Sequence, residues 1–212
     1  MFKRRFLAFT LIVLGWQVGL DVDRAESKLD PVLTTATVAP GPHNYIVCPT
    51  GDGDRLDAIG AIITITMRVS NGVPVANIPS SDSWIIGCSD QVVLWRGSQS
   101  IDADALSDEN GEATMSGALT GGGCDDGVLV VVMGDILIDG DGEPVCLPIN
   151  VRSPDMAGPA GAMGDLLVDL IDFSVFASAW SSYDACADFD SDGLVTLLDL
   201  SIFAQHFLHA SP

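Results

Sequence analysis

A twelve-residue acidic segment near the end of the chain places the strongest constraint on how the chain folds. The segment runs from Asp188 to Asp199. Carboxylates stand at positions 1, 3, 5 and 12 and a glycine at position 6; these are Asp188, Asp190, Asp192, Asp199 and Gly193. A hard cation such as calcium takes roughly six to eight oxygen ligands at flexible geometry, which this spacing supplies from one loop. An acidic surface turn is the alternative, but the apolar helical pattern that follows at once favours a metal loop.

The other positions of the segment complete a calcium register of the EF-hand type. Leu194 at position 7 offers its backbone carbonyl, and Thr196 at position 9 can hold a water molecule. We therefore predict one good calcium site, with the ligands Asp188, Asp190, Asp192, Leu194, Thr196 and Asp199.

The pattern occurs twice in the chain. Residues 165–177 align with residues 192–204 at an offset of 27 (192 − 165 = 27), and a helix-like apolar pattern continues each copy. In the second copy the apolar side chains fall mostly on one helical face; these are Leu197, Leu200, Ile202, Phe203 and Phe207. We expect two loop–helix units whose helices pack together.

The first copy departs from the calcium register. Gly161 and Met163 occupy positions 1 and 3, and Leu166 replaces the glycine, so that only Asp165 and Asp172 match. We predict a weak second site at Asp165 and Asp172. An insertion after Asp155 would displace the ligands, so the module begins at residue 165 or as early as residue 155.

The two loop–helix units, over about residues 155–208, resemble type I dockerins in their sequence pattern. Dockerins are small calcium-folded modules that attach extracellular proteins to cohesins, often in polysaccharide-degrading assemblies. The resemblance implies an all-α module at residues 165–212 that binds a cohesin-like protein or another extracellular surface component. Positions 10 and 11 of each copy would contact that partner; they hold Leu170, Ile171, Leu197 and Leu198. Packing of these four side chains inside the helix pair is the alternative.

The preceding part of the chain has the pattern of short β-strands. Residues 62–69 alternate with period two, and residues 128–133 form a continuous apolar run typical of a central strand. Turn residues separate these and several further short runs. The pattern predicts an all-β sandwich over residues 30–152.

Two segments of this region resemble bacterial Ig-like domains of the invasin and intimin type. They run from Val69 to Val75 and from Ser107 to Ser116, and Ser70 and Ser107 depart from the usual Asp and Thr. The resemblance implies an interaction or spacer module rather than a catalyst. The expected fold is thus an Ig-like sandwich followed by a small calcium-binding helix pair.

The ends of these regions carry sorting and linker signals. Near the N-terminus, the basic residues Lys3, Arg4 and Arg5 precede an apolar run. This pattern predicts a secretory signal peptide over residues 1–25; a retained anchor is the alternative. The proline- and glycine-rich residues 153–164 predict a linker. We expect an extracellular chain, secreted or at the cell surface, with no membrane segment in its mature form.

An exported chain is free to form disulfides, and this one has five cysteines. Four of them precede residue 152 and allow three pairings. The positions at the ends of apolar runs favour Cys88–Cys124, with Cys48–Cys146 bracketing the domain. Cys186 would then remain free or pair between chains.

The charge and the residue inventory exclude several function classes. With 9 basic and 29 acidic residues the net charge is −20, which excludes nucleic acid as a partner. The chain has three histidines and no nucleophile motif, so we expect no catalytic activity. The competing function is carbohydrate binding by the sandwich, with Trp84 and Trp95 as a stacking platform; packing of these rings in the core is the alternative.

Overall fold

The computed structural model describes residues 28–41, 43–89, 92–94, 101–157 and 164–211. The predicted signal peptide at residues 1–25 lies outside these ranges. The described strands are β1 (Thr35–Thr37), β2 (His43–Ile46), β3 (Ile63–Thr66), β4 (Ser83–Gly87), β5 (Val92–Leu94), β6 (Glu112–Met115), β7 (Gly121–Gly123), β8 (Val128–Val132), β9 (Asp135–Ile136), β10 (Cys146–Leu147) and β11 (Ile149–Arg152). The helices are α1 (Leu170–Ser178) and α2 (Leu197–His206), and a single 3-10 turn spans Ser80–Asp82.

The strands form small sheets. Antiparallel pairing gives the orders β1-β3-β6 and β10-β8-β4, with β9 also paired to β8. Strands β5 and β7 form an antiparallel pair, whereas β2 and β11 run parallel. The chain is therefore mostly β-structure with two short helices, and its first part is consistent with a β-sandwich.

The burial of side chains in β3 and β8 agrees with the sequence pattern. In β3, Ile63 and Ile65 are fully buried while Thr64 and Thr66 are partly exposed. All five residues of β8 are buried, in agreement with a central strand. Apolar side chains from all four sheets join one hydrophobic cluster, so burial of the inner faces stabilises this part of the fold.

The two segments that resemble Ig-like domains lie against each other. The Met67 amide donates to the Gly111 carbonyl at 2.8 Å, and Gly111 has a φ of +74°. A Cβ at Gly111 would lie 2.5 Å from the Met67 oxygen, so this turn requires glycine. The Ser107 hydroxyl donates to the Val75 carbonyl and accepts from the Ile78 amide, both at 2.9 Å.

Both helices begin with a capping box. Asp169 caps α1 and Thr196 caps α2, and each side chain accepts an amide two residues later. The backbone amide of each cap donates in turn to a carboxylate three residues later; these carboxylates are Asp172 and Asp199. The helix starts are thus determined locally, since every partner lies within three residues.

Aromatic side chains join the two helices. The Phe203 ring centroid lies 5.9 Å from that of Phe173 and 5.4 Å from that of Phe176. Phe207 and Phe189 extend the same group. The expected packing of the two helices against each other is confirmed, and the buried rings of Phe176, Phe189 and Phe203 belong to a second hydrophobic cluster.

The disulfide pairing differs from the prediction. Cys88 pairs with Cys146 and Cys124 pairs with Cys186, while Cys48 is a buried free thiol. The predicted pairs Cys88–Cys124 and Cys48–Cys146 are therefore wrong. The position of a cysteine at the end of an apolar run indicates that it flanks a strand. Pairing also requires the two Cα atoms to lie within about 7 Å of each other, and only the tertiary fold decides that distance. The Cys124–Cys186 bond joins the β-region to the helix pair.

We expect peptide mapping without reduction to recover the linked pairs Cys88–Cys146 and Cys124–Cys186. Cys48 should react with a thiol reagent only after denaturation, because its side chain is fully buried. Mass spectrometry of the alkylated digest measures both. Labelling of Cys186 in the denatured, unreduced protein would contradict this pairing.

The beginning of the predicted linker is packed rather than extended. Ser153 and Asp155 are 1% and 0% exposed, and the Asp155 carbonyl accepts the Gly123 amide of β7 at 2.7 Å. A Cβ on Gly122 would overlap the Asp155 carboxylate, so this strand needs its glycine for the contact. The proline and glycine content does not reveal the buried carboxylate of Asp155, and residues 158–163 of the predicted linker lie outside the described ranges.

Candidate metal centre

Three carboxylates of the second loop converge. Oxygen atoms of Asp188, Asp190 and Asp192 lie within 4.8 Å of one another. Asp188 is 5% exposed and accepts the amides of Asp192 at 3.1 Å and Gly193 at 2.9 Å. Gly193 has a φ of +97°, which supplies the sharp turn that position 6 requires. The other two carboxylates are exposed and face solvent.

Asp199 closes this loop onto the helix that follows. Its side chain is fully buried, and one oxygen accepts the amides of Phe189 at 2.7 Å and Asp190 at 3.2 Å. The other oxygen accepts the Thr196 amide at 2.8 Å. The Thr196 hydroxyl also donates to this second oxygen at 3.3 Å, so all of the about four lone-pair positions are used, and a cation on Asp199 would replace this longest contact.

Asp172 is the equivalent of Asp199 in the first copy and closes the first loop onto α1. One of its oxygens accepts the amides of Met156 at 2.7 Å and Ala157 at 2.8 Å, and the other accepts the Asp169 amide at 2.8 Å. Asp172 is fully buried, like Asp199. The amides of Met156 and Ala157 thus correspond to the amides of Phe189 and Asp190, which occupy positions 2 and 3 of the second loop.

Asp155 is the counterpart of Asp188. Its carboxylate accepts the amides of Asp165 at 3.0 Å and Leu166 at 2.8 Å. Leu166 has a φ of +65°, the left-handed conformation that Gly193 has in the second loop. Equivalent hydrogen bonds therefore identify Asp155 as position 1, and Gly161 and Met163 are not the equivalents of Asp188 and Asp190.

The first loop contains an insertion of six residues relative to the second loop. The offset is 33 at position 1 (188 − 155) and 27 at position 12 (199 − 172), and the difference is six. The extra residues fall between Ala157 and Asp165, where residues 158–163 lie outside the described ranges. The first loop therefore offers four carboxylates, of Asp155, Asp165, Asp169 and Asp172, but has alanine at position 3. The sequence comparison did not assign Asp155 to position 1, because a fixed offset does not accommodate an insertion, and it overlooked Asp169, which the same offset aligns with Thr196.

Burial and crowding shift the acidity of these groups. Desolvation raises the pKa of Asp155 to about 7 and also raises the pKa of Asp172. At Asp190, desolvation and the negative charges of Asp199, Asp192 and Asp188 raise the pKa. A bound cation would favour the charged forms and offset this repulsion.

The four aliphatic side chains at positions 10 and 11 are exposed. Leu170 and Leu197 are 71% and 70% exposed, and Ile171 and Leu198 are 43% and 60% exposed. Each pair directly follows the cap of its helix. A groove of about 360 Å³ is lined by Leu197, Leu198 and Trp180, among other residues. The alternative, packing inside the helix pair, does not apply to these side chains.

The proposed sugar platform is not assembled in the described part of the chain. Trp84 lies in β4, where its ring packs against the hydrophobic cluster of the sheets. Trp95 lies outside the described residues. The tryptophan pair therefore offers no support for carbohydrate binding.

Among the described residues, neither helix is long and apolar enough to cross a membrane. The two disulfides are compatible with an extracellular location.

Comparison with known proteins leaves the family open. No family model and no curated protein matches the chain. Among solved structures, the adhesin InvE of Yersinia pseudotuberculosis matches with 20% sequence identity and a TM-score of 0.32. The match covers 60% of this chain and 28% of the adhesin chain. At this similarity it carries no argument about fold or function.

Proposed function

We propose that this chain is a secreted, non-catalytic, calcium-binding docking protein. The observation that carries the proposal is the repeated network in which two buried carboxylates per loop accept the backbone amides of that loop. In both copies this network ends at a capped helix whose first two side chains are exposed aliphatics.

The second loop would hold calcium most tightly. Its ligands would be the carboxylates of Asp188, Asp190, Asp192 and Asp199, with the Leu194 carbonyl and a water molecule on Thr196 completing the shell. Oxygen donors from a flexible acidic loop suit this cation better than a softer metal. The first loop would bind calcium more weakly, because Ala157 replaces the ligand at position 3.

Calcium titration of the chelator-treated mature chain tests this proposal. Asp190→Ala is expected to lower the affinity of the tighter site by more than about tenfold, because it removes a ligand from an exposed position with a single backbone contact. Glu109→Ala is the matched control, since it removes the same charge from an exposed turn of the β-region. Calorimetry measures both. Equal affinities for the wild type and Asp190→Ala would show that the loop is only an acidic turn.

The exposed aliphatic pairs would form the docking surface. Burial of four such side chains against a partner removes enough apolar area to drive association, and the capped helices hold them in fixed positions. A cohesin-like protein, free or within polysaccharide-degrading machinery, or another extracellular surface component would supply the complementary apolar face. The β-region would then be the module that is tethered.

A binding assay against immobilised type I cohesins, with and without calcium, tests the docking surface. We expect calcium-dependent binding that the double change Leu197→Asp and Leu198→Asp reduces by more than about tenfold, because a buried charge at an interface is costly. Leu106→Asp is the control, since Leu106 is 55% exposed on the β-region. Undiminished binding by the double variant, or no binding in calcium, would contradict docking through this surface.

The arrangement around Cys48, the free thiol of the described residues, supports a non-catalytic role. Burial raises the pKa of the Cys48 thiol to about 12, so this thiol is a poor nucleophile at neutral pH. His209 Nδ1 lies 3.4 Å from both the Cys48 sulfur and an Asp52 oxygen. A catalytic triad would need the two partners on opposite ring nitrogens, which this arrangement does not provide.

A further inference from the structure

A second cluster of potential ligands lies away from the acidic loops, where the β-region meets the end of α2. It contains Cys48, Asp52, His206 and His209, and one ligand atom of each lies within 4.8 Å of all the others. Cys48 and Asp52 belong to the segment after β2, while His206 is the last residue of α2. Residues separated by about three quarters of the chain are thus brought together at one point.

Three distances between these ligand groups, two of them to different oxygens of Asp52, lie in the range expected for neighbouring ligands of a tetrahedral ion. The Cys48 sulfur lies 3.4 Å from His209 Nδ1. Oxygens of Asp52 lie 3.4 Å from His209 Nδ1 and 3.6 Å from His206 Nδ1. Zinc bonds of about 2.0–2.3 Å at tetrahedral angles place neighbouring ligand atoms about 3.3–3.6 Å apart.

The donor types also suit zinc. One thiolate and one carboxylate would neutralise a divalent cation, and two neutral imidazoles would complete four ligands. Calcium prefers an all-oxygen shell, so this cluster selects a different ion from the acidic loops. A soft sulfur ligand with two imidazoles is a composition typical of zinc sites.

A buried nitrogen in the cluster has no hydrogen bond. His206 Nδ1 is inaccessible to solvent and has no partner within hydrogen-bond distance among the described residues; the Asp52 oxygen at 3.6 Å is too far. Buried polar atoms without a partner are rare and need an explanation.

Neighbouring groups hold the ligands in position. The Thr50 hydroxyl donates a short hydrogen bond to Asp52. The His209 backbone donates to His206 at 3.0 Å and accepts the Val168 amide at 2.9 Å. Such outer contacts orient ligands in metal sites.

We propose that Cys48, Asp52, His206 and His209 form a structural zinc site that fixes the helix pair to the β-region. With four protein ligands the site is closed and leaves no position for a substrate. It would join the two regions at one place, as the Cys124–Cys186 disulfide joins them at another. It would also hold the single free thiol of the described chain as a metal-bound thiolate, away from disulfide exchange.

The test uses the mature chain with intact disulfides, freed of metals by chelation and then saturated with calcium to fill the acidic loops. Cobalt(II) is the spectroscopic probe. We expect one equivalent to give the intense visible bands of tetrahedral cobalt and a thiolate-to-cobalt charge-transfer band, and one equivalent of zinc to abolish both. Weak octahedral bands alone would overturn the proposal, since they would place the ion on surface carboxylates.

Variants assign the ligands. Cys48→Ser should abolish the charge-transfer band, and His209→Gln should weaken zinc binding by at least about 100-fold. His43→Gln is the control, because His43 lies in β2 and its ring nitrogen lies 3.0 Å from the Ala39 carbonyl. Retention of the band in Cys48→Ser would overturn the assignment. X-ray absorption of the zinc-loaded wild type needs no variant: one sulfur with three nitrogen or oxygen neighbours supports the site, and a shell without sulfur overturns it.

Discussion

Phe203→Ala is expected to destabilise the helix pair by about 3–5 kcal/mol. The Phe203 ring is 2% exposed and lies between the rings of Phe173, Phe176 and Phe207. Its removal leaves a cavity at the centre of a small cluster, which has few other apolar contacts to compensate. Denaturant unfolding at saturating calcium, followed by helical circular dichroism, measures the change.

Phe173→Ala is the matched control for this effect. The Phe173 ring contacts Phe203 but is 41% exposed, so its truncation removes less buried area and opens a cavity to solvent. We expect a loss of about 1–2 kcal/mol. Equal losses in the two variants would mean that the helices are held by the disulfide and the loops rather than by aromatic packing.

Asp199→Ala is expected to abolish calcium binding by the second loop and to destabilise the calcium-free chain by at least about 3 kcal/mol. The change removes the acceptor of three backbone amides, those of Phe189, Asp190 and Thr196. Each buried amide left without a partner costs about 1–3 kcal/mol. Calcium binds the folded loop, so a lost ligand also removes the stabilisation that binding adds.

Two variants separate the metal contribution from the structural one. Asp190→Ala removes an exposed ligand and should lower calcium affinity while leaving the calcium-free stability nearly unchanged. Asp172→Ala should cost as much stability as Asp199→Ala, because it orphans the equivalent amides, yet leave the second loop's calcium affinity intact. Thermal unfolding in chelator and calcium titration measure the two quantities. A stability loss in Asp190→Ala as large as that in Asp199→Ala would contradict this division.

The features that the sequence predicted correctly are those that depend on near neighbours. A helix follows each loop, as the apolar pattern predicts, and the sharp turn at Gly193 follows from its lack of a Cβ. Burial of alternate residues in β3 and of all residues in β8 follows from hydrophobic periodicity. Whether Asp188 to Asp199 binds calcium remains a prediction.

The insertion in the first loop shows where pattern comparison fails. A fixed offset aligns residues 165–177 well but assigns the wrong residues to positions 1 and 3. The hydrogen bonds of Asp155 and Asp172 give the correct alignment of the first loop with the second. These carboxylates accept the amides that correspond to the partners of Asp188 and Asp199, whatever the length of chain between them.

The contacts between the two regions were decided by tertiary structure alone. Ile46 of β2 packs against the aromatic cluster of the helices, and Cys124 reaches Cys186 across 62 residues. Cys48 and His209 meet across 161 residues. The amino-acid sequence by itself determined the local loops, caps and strand faces, since hydrogen bonds and burial patterns of short range control them. The pairing of cysteines and the gathering of Cys48, Asp52, His206 and His209 depend on how the helix pair sits on the sheets, because no local interaction sets the distance between residues so far apart in the chain.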